Sequence, residues 1–199
     1  MQIILATNNS HKTMEIKSIL NFSFNKILTL NDAGFSGEIE ENGQTYYDNS
    51  RIKALAVRNK ISDKIILADD SGLEIDYFNG EPGLHSARFL PGLSQKEKNK
   101  EVLNRLKNIK PEKRSAKFVS VVCCILPDGE SHFFKGVCQG HIAFHIQGEE
   151  GFGYDPIFVP SGFSKTFGTL SEDIKNVVSH RASAFSQTRN FLVYTGLLD

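Results

Sequence analysis

Residues 2–20 read QIILATNNSHKTMEIKSIL, an apolar run, a polar turn and an amphipathic stretch in immediate succession. Gln2–Thr7 (QIILAT) has the unbroken apolar character of a short buried strand. The turn NNSHK follows directly, and Ile16, Ile19 and Leu20 then recur at i, i+3, i+4, which predicts a helix to about Leu20. A strand that enters a helix through a short polar turn is the building unit of α/β sheets, and the rest of the chain extends that unit.

Lys26–Leu30 is a second strand, and residues 31–44, with Gly, Asp, Glu and Asn, read as loop. Thr45 suits a helix N-cap, and the helix it opens presents Ile52, Leu55 and Ala56 as its apolar face. Ile65–Asp69 (IILAD) is another buried strand, ending in carboxylates. Leu73, Ile75 and Tyr77 alternate with Glu74 and Asp76, so a strand resumes after a turn at Ser71-Gly72. Ser94 and Glu97 make a capping box for a helix whose apolar side is Val102, Leu103 and Leu106. Ala116–Leu126 and His132–Ile146 are long strands joined at Pro127-Asp128-Gly129, a hairpin. Gly148–Tyr154 is a Gly-rich loop before the short strand Pro156–Val159. Thr169 with Glu172 forms a second capping box for a helix to about Val178, and a last helix covers Ala182 to roughly Tyr194. Strands alternating with helices, plus one hairpin, predict an α/β protein with a mixed sheet flanked by helices, in a single domain spanning residues 1–199.

Composition excludes several classes. The 199 residues carry 23 Lys+Arg against 23 Asp+Glu, so the basic excess of a protein that lives on duplex nucleic acid is missing. With 40% hydrophobic and 23% charged residues the chain is globular, not disordered, collagen-like or coiled coil. The most apolar run, Val119–Leu126, is interrupted by Ser120 and falls far short of the roughly 18 residues of a membrane span. The N-terminus lacks the positive start and long apolar stretch of a signal peptide. The expectation is a cytoplasmic protein with no membrane or nucleic-acid partner. Cys123, Cys124 and Cys138 are odd in number and without CxxC spacing, which argues against a disulfide framework and a zinc site. Neighbours in a strand, Cys123 and Cys124 point to opposite faces, as small core residues.

Four segments carry candidate chemistry. Thr7–Lys12 (TNNSHK), between strand and helix, aims backbone N–H groups and a helix N-terminus at one spot and adds the Lys12 charge, as a phosphate site does. An Asn-rich turn that merely caps a helix is the other reading, and the GxxxxGK[ST] of a P-loop is absent. Leu67–Asp76 (LADDSGLEID) puts two adjacent carboxylates at the end of an apolar strand, where burial is costly unless the charge is paired and where α/β sheets bind ligands. Glu38, Glu40 and Glu41 lie in the loop upstream. Glu41 with Asp69 or Asp70 suits Mg²⁺, which takes one or two carboxylates plus substrate phosphates, whereas Glu38 and Glu40 read as solvated loop. Gly151–Pro156 (GFGYDP) brackets Phe152 with glycines, either for close approach to a ligand and base stacking or as a tight turn around a core aromatic. Lys175–Arg181 (KNVVSHR) offers Lys175, His180 and Arg181 to phosphate or a carbonyl oxygen, or serves as a basic helix terminus.

In their order along the chain, TNNSHK, ENGQTYYDNS with Lys53, LADDSGLEID, PGLHSARF, GFGYDPIFVP and SHR resemble the inosine triphosphate pyrophosphatase family, over nearly the whole chain. The resemblance implies an elongated mixed sheet with the active site in a cleft between two lobes. It also implies a Mg²⁺-dependent homodimer that hydrolyses dITP, ITP and XTP to the monophosphate and pyrophosphate. Carried over by motif, Thr7, Asn8, Asn9, Ser10, His11 and Lys12 would grip the phosphates, with Lys53 as a further contact. Asp70 would bind metal and accept a proton, Glu41 would be the companion metal ligand, and Ser71 would touch substrate. Phe152, Gly153, Tyr154 and Asp155 would frame the nucleoside, and Lys175, His180 and Arg181 would complete the base pocket. No proton chemistry is assigned to His11 or His85. Two positions depart from the family pattern. Asn8 stands where relatives often have Gly, and should be tolerated because Asn accepts a left-handed backbone better than most residues. Ala182 follows SHR where many have Gly, and should tighten the pocket slightly. Two rivals are a Maf-type pyrophosphatase with another base preference and a purine nucleotide sensor without catalysis.

Overall fold

The computed structural model describes residues 1–22, 26–37 and 39–198, so Glu38 lies outside the described residues. In chain order the elements are β1 (Ile3–Leu5), α1 (Ser10–Leu20), β2 (Ile27–Leu28), α2 (Tyr46–Arg58), β3 (Ile65–Ile75), α3 (Gln95–Arg105), β4 (Ser115–Ile125), β5 (Ser131–Ile142), β6 (Phe158–Pro160), α4 (Glu172–Val178) and α5 (His180–Tyr194). The strands form one six-stranded sheet in the order β2-β1-β3-β4-β5-β6. β1 pairs parallel with β2 and β3, Ile3 opposite Ile27 and Ile65, whereas β5 and β6 pair antiparallel, with His141 opposite Val159. The sheet is therefore mixed and carries helices, as the alternating pattern predicts.

The chain divides into two compact units: Met1–Asp70 with Ser120–Gly136 and Arg181–Asp199, and Ser71–Val119 with Val137–His180. In unit 1 the side chains alternate strictly. Ile3, Leu5, Ile65, Leu67, Val122 and Cys124 pack with Ile16 and Leu20 of α1 and with Ala184, Phe185 and Leu192 of α5. Ile4, Ala6, Ile66, Ala68, Cys123 and Ile125 pack with Ala54 and Val57 of α2. Because successive strand residues point to opposite faces, α1 and α5 cover one face and α2 the other. Cys123 and Cys124 divide between these faces as expected, and all three cysteines are free and buried. Unit 2 has its own core, in which Leu73, Ile75, Phe118, Ile142 and Phe158 meet Val102 of α3 and Leu106 at its C-cap, with Phe167 and Leu170 beside them. Burying each such side chain is worth about 1.5–3 kcal/mol.

Several local expectations hold and others need correction: β3 ends at Ile75, before Tyr77, and β5 ends at Ile142, short of Ile146. Thr45 caps α2 by accepting from Asp48 N, the capping box of Ser94 and Glu97 forms, and the hairpin turns where Pro127-Asp128-Gly129 stands. Ser71-Gly72 makes no turn. β3 runs straight through it, because pairing in the middle of the sheet overrides the local turn preference. The buried face of α2 is Asn49, Ser50, Lys53, Ala54 and Val57 rather than the apolar set Ile52, Leu55 and Ala56, and Leu55 is exposed. The cap of α4 is Ser171, which accepts from Ile174 N, while Thr169 turns back to donate to Thr166 O. Asn8 is not among the residues with positive φ, so this loop makes no demand for a glycine there.

Candidate active site

The alternation of β3 decides what each of its two carboxylates meets. Asp69 shares the parity of Ile65 and Leu67 and so faces α1 and α5, while Asp70 shares that of Ile66 and Ala68 and faces α2. Asp69 is accordingly met by Lys12 Nζ of α1 at 2.8 Å and by the Arg181 guanidinium of α5 at 3.5 Å. Ser120 of β4, on the same face as Val122 and Cys124, donates its hydroxyl to Asp69 Oδ1 at 2.5 Å. Arg181 is further paired with Glu15 of α1 at 2.5 Å. Burial works against ionisation of Asp69, yet the charges of Lys12 and Arg181 and the hydrogen bonds from Lys12 and Ser120 outweigh it and hold this carboxyl well below the usual range. Burial also lowers the Lys12 ammonium, with Arg181 and Lys53 adding to the effect and Asp69 opposing it.

Asp70 has a different environment. Asn49 Nδ2 donates to its Oδ2 at 3.2 Å, and Lys53 Nζ, one turn further along α2, donates to its Oδ1 at 3.2 Å. Lys53 also reaches Glu41 Oε2 at 2.9 Å, so two carboxylates converge on one cation. Burial pushes the Asp70 carboxyl up; Lys53 and Lys12 offset this only partly, and Asp69 and Glu41 add to the rise. Burial disfavours the Lys53 charge, but Asp70 and Glu41 outweigh it and raise its affinity for the proton. Two adjacent carboxylates thus shift in opposite directions, Asp69 down and Asp70 up. Two converging carboxylates are also the donor set of a hard divalent cation such as Mg²⁺.

In unit 2, the Gly151–Pro156 loop is built around Asp155. Its Oδ2 accepts from Phe152 N at 2.7 Å and pairs with Lys175 Nζ at 2.5 Å, both side chains being buried. Gly151 lies at φ +73°, and a Cβ there would stand 2.2 Å from Asp155 Oδ2, so only glycine lets the loop wrap this carboxylate. Lys175 Nζ lies 4.8 Å from the centre of the half-buried Phe152 ring. Tyr154 is buried; its hydroxyl donates to Ser86 O at 3.1 Å and its pKa is pushed up to about 12 by burial. His180 stacks on Phe118, with ring centres 4.7 Å apart.

The residues singled out from sequence therefore gather into three groups: Lys12 and Arg181 on Asp69, Glu41 and Lys53 with Asp70, and Phe152 and Lys175 with Asp155. In the first loop Thr7 Oγ1 accepts from Asn9 N, Asn9 caps α1 by accepting from Lys12 N, and Ser10 and His11 are exposed in its first turn. Ser71 is half-buried on β3 and Ala182 is buried in α5. His180 and Arg181 are neighbours in sequence that engage different partners, His180 a ring of unit 2 and Arg181 the carboxylates of unit 1. Sequence reasoning missed Asn49, Ser120 and Glu15. Signals for two of them existed: Asn49 stands four residues before Lys53 and so on its helix face, and Ser120 is the polar break in an otherwise apolar strand.

The family model of the Ham1 family matches residues 3–191. A dITP/XTP pyrophosphatase of Clostridium perfringens is 43% identical over 198 residues, covering 96% of this chain and 97% of its own. The dITP/XTP pyrophosphatase of Bacillus subtilis is 40% identical, with 96% of each chain covered. Among solved structures, the Ham1 protein of Staphylococcus aureus superposes with a TM-score of 0.85 at 35% identity, covering 98% of this chain and 100% of its own. The fold, the motif order and these full-length similarities agree: the chain belongs to the Ham1 family.

Proposed function

We propose that this protein hydrolyses non-canonical purine nucleoside triphosphates, dITP, ITP and XTP, to the monophosphate and pyrophosphate, and so clears them from the nucleotide pool. The observation that carries the proposal is the division between Asp69 and Asp70: Asp69 is engaged by Lys12, Arg181 and Ser120, while Asp70 converges with Glu41 on Lys53. The names of the relatives support the substrate class. Thr7 to Lys12 and Lys53 hold the phosphates. Phe152, Gly153, Tyr154 and Asp155 frame the nucleoside, with Lys175, His180 and Arg181 as donors to the base and Ser71 as a further contact.

Water attacks the α-phosphorus, the new P–O bond forms as the bond to the bridging oxygen breaks, and the water proton passes to an Asp70 carboxylate oxygen. The charges of Lys12 and Lys53 stabilise the departing pyrophosphate. Glu41 and Asp70 would hold Mg²⁺, which supplies charge neutralisation on phosphate oxygens. The protein works as a homodimer in the cytoplasm, without membrane or nucleic-acid partners. Among the described residues, no helix is long and apolar enough to cross a membrane.

Incubation with dITP and Mg²⁺ tests this reading. The expected products are dIMP and pyrophosphate in equal amounts, with turnover abolished by EDTA and restored by Mg²⁺. Deoxyinosine diphosphate with free phosphate would overturn the bond assignment, and metal-independent turnover would overturn the Glu41–Asp70 site. A preference for pyrimidine or methylated nucleotides would point to Maf-type chemistry, and binding without turnover to a sensor.

A further inference from the structure

The loop that carries Phe152 is rich in conformational freedom, with Gly148, Gly151 and Gly153 at φ +76°, +73° and +63°. A Cβ at Gly153 would meet nothing within 4 Å, so local crowding does not hold this residue in place. The peptide is instead held from another element. Asn99 of α3 is 3% exposed, and its Nδ2 donates to Gly153 O at 3.0 Å across 54 residues of sequence. The orientation of the amide is forced. A carbonyl oxygen only accepts, so Nδ2 faces Gly153, and Asn99 Oδ1 accepts from Gln95 Nε2 at 3.1 Å. Beside them the Tyr154 hydroxyl donates to Ser86 O at 3.1 Å, and Lys98 Nζ donates to Ala87 O at 3.0 Å. α3 thus holds two loops, at Ala87 and at Gly153.

We propose that Asn99 is a positioning residue for nucleoside binding: by holding the Gly153 carbonyl it sets the plane of the following peptide and fixes the Phe152 ring beneath Lys175. The proposal rests on the reading that the 152–155 loop takes the nucleoside. Its mechanism is preorganisation, in which the cost of ordering a glycine loop is met in the free protein rather than on binding.

Asn99→Leu keeps the volume and removes the donor. The expected result is a rise in KM for dITP of roughly tenfold, the scale of one lost buried hydrogen bond, with kcat within about threefold. Inhibition by inorganic tripolyphosphate, which has phosphates and no nucleoside, should be unchanged. The chain has no tryptophan, so Phe152→Trp installs a single tryptophan, excited selectively over the tyrosines, on the loop, and adding Asn99→Leu should lower its anisotropy. A fall in Tm with KM and anisotropy unmoved would overturn the proposal and leave Asn99 a stability residue. So would a parallel weakening of tripolyphosphate. If Asn99→Leu does not fold, Gln95→Leu removes the partner of Asn99 Oδ1 and should shift KM in the same direction by less; no shift would overturn the proposal. Phe152→Ala separates this inference from the reading beneath it. If its KM for dITP is normal, the nucleoside loop is misassigned, whereas anisotropy still reports the tether.

Discussion

Asp69 and Asp70 are chemically identical neighbours whose surroundings separate them. Asp70→Asn removes the proton acceptor and should lower kcat by roughly 10²-fold or more, with dITP binding still measurable because Lys12, Lys53 and Lys175 remain. Asp69→Asn leaves the buried Lys12 charge without its carboxylate and Arg181 with Glu15 alone, and should cost about 3–5 kcal/mol of stability in urea unfolding. If Asp70→Asn keeps near-normal turnover while Asp69→Asn abolishes it without destabilising the protein, the two roles are exchanged. Arg181 invites a substrate comparison. Hypoxanthine and xanthine carry an acceptor oxygen at C6 where adenine carries a donor amino group. If Arg181 reads that oxygen, Arg181→Ala should lower kcat/KM for dITP far more than for dATP. Parallel losses would mean that its pairing with Asp69 and Glu15 is its whole contribution.

Helices α2 and α4 show how an element's neighbours reset its local preferences. A search for apolar spacing selects Ile52, Leu55 and Ala56 on α2. The face that is buried instead includes Asn49, Ser50 and Lys53, because two of them reach the Asp70 carboxylate. On α4 the spacing of Thr169 and Glu172 imitates a capping box, but the cap is Ser171. Ser171→Ala should therefore cost about 1 kcal/mol, while Glu172→Ala should stay within about 0.5 kcal/mol. Chemical denaturation of the two variants checks the assignment, and a larger loss at Glu172 would restore the capping box. Since α4 also carries Lys175, Ser171→Ala should weaken dITP binding along with stability.

At the scale of the whole molecule, the three thiols report on the integrity of the cores. Burial pushes Cys123 and Cys124 up to about 12 and Cys138 to about 11. The native protein should resist Ellman's reagent at pH 8, with all three thiols reacting in denaturant. The same shifts set a pH dependence. Each thiol stays protonated in the folded state after its unfolded counterpart has ionised near pH 9, so their contribution is complete below that pH and is lost as pH rises toward 12. Stability should fall by about 1.4 kcal/mol per pH unit for each participating thiol in that window, and Cys124→Ala should flatten the decline. A pH-independent unfolding midpoint between 9 and 11 would show that the thiols titrate alike in both states.

Much of this molecule is decided by local rules. The run of residues 2–20 determines a strand, a turn and a helix, and the period of two in a strand determines that Asp69 and Asp70 point apart. Those features depend on near neighbours in the chain, so a sequence displays them directly. The motif order was equally legible, and with it the family. What stands on each face of β3 is a different matter: Arg181 meets Asp69 across 112 residues and Asn49 meets Asp70 across 21. Only the packing of α1 and α5 on one side and α2 on the other turns two like carboxylates into an anchored anion and a raised acid. Likewise the glycines of the 148–153 segment announce freedom, while the amide that restrains Gly153 comes from α3. Charge partners and loop restraints come from distant parts of the chain, and tertiary structure alone decides which of them meet.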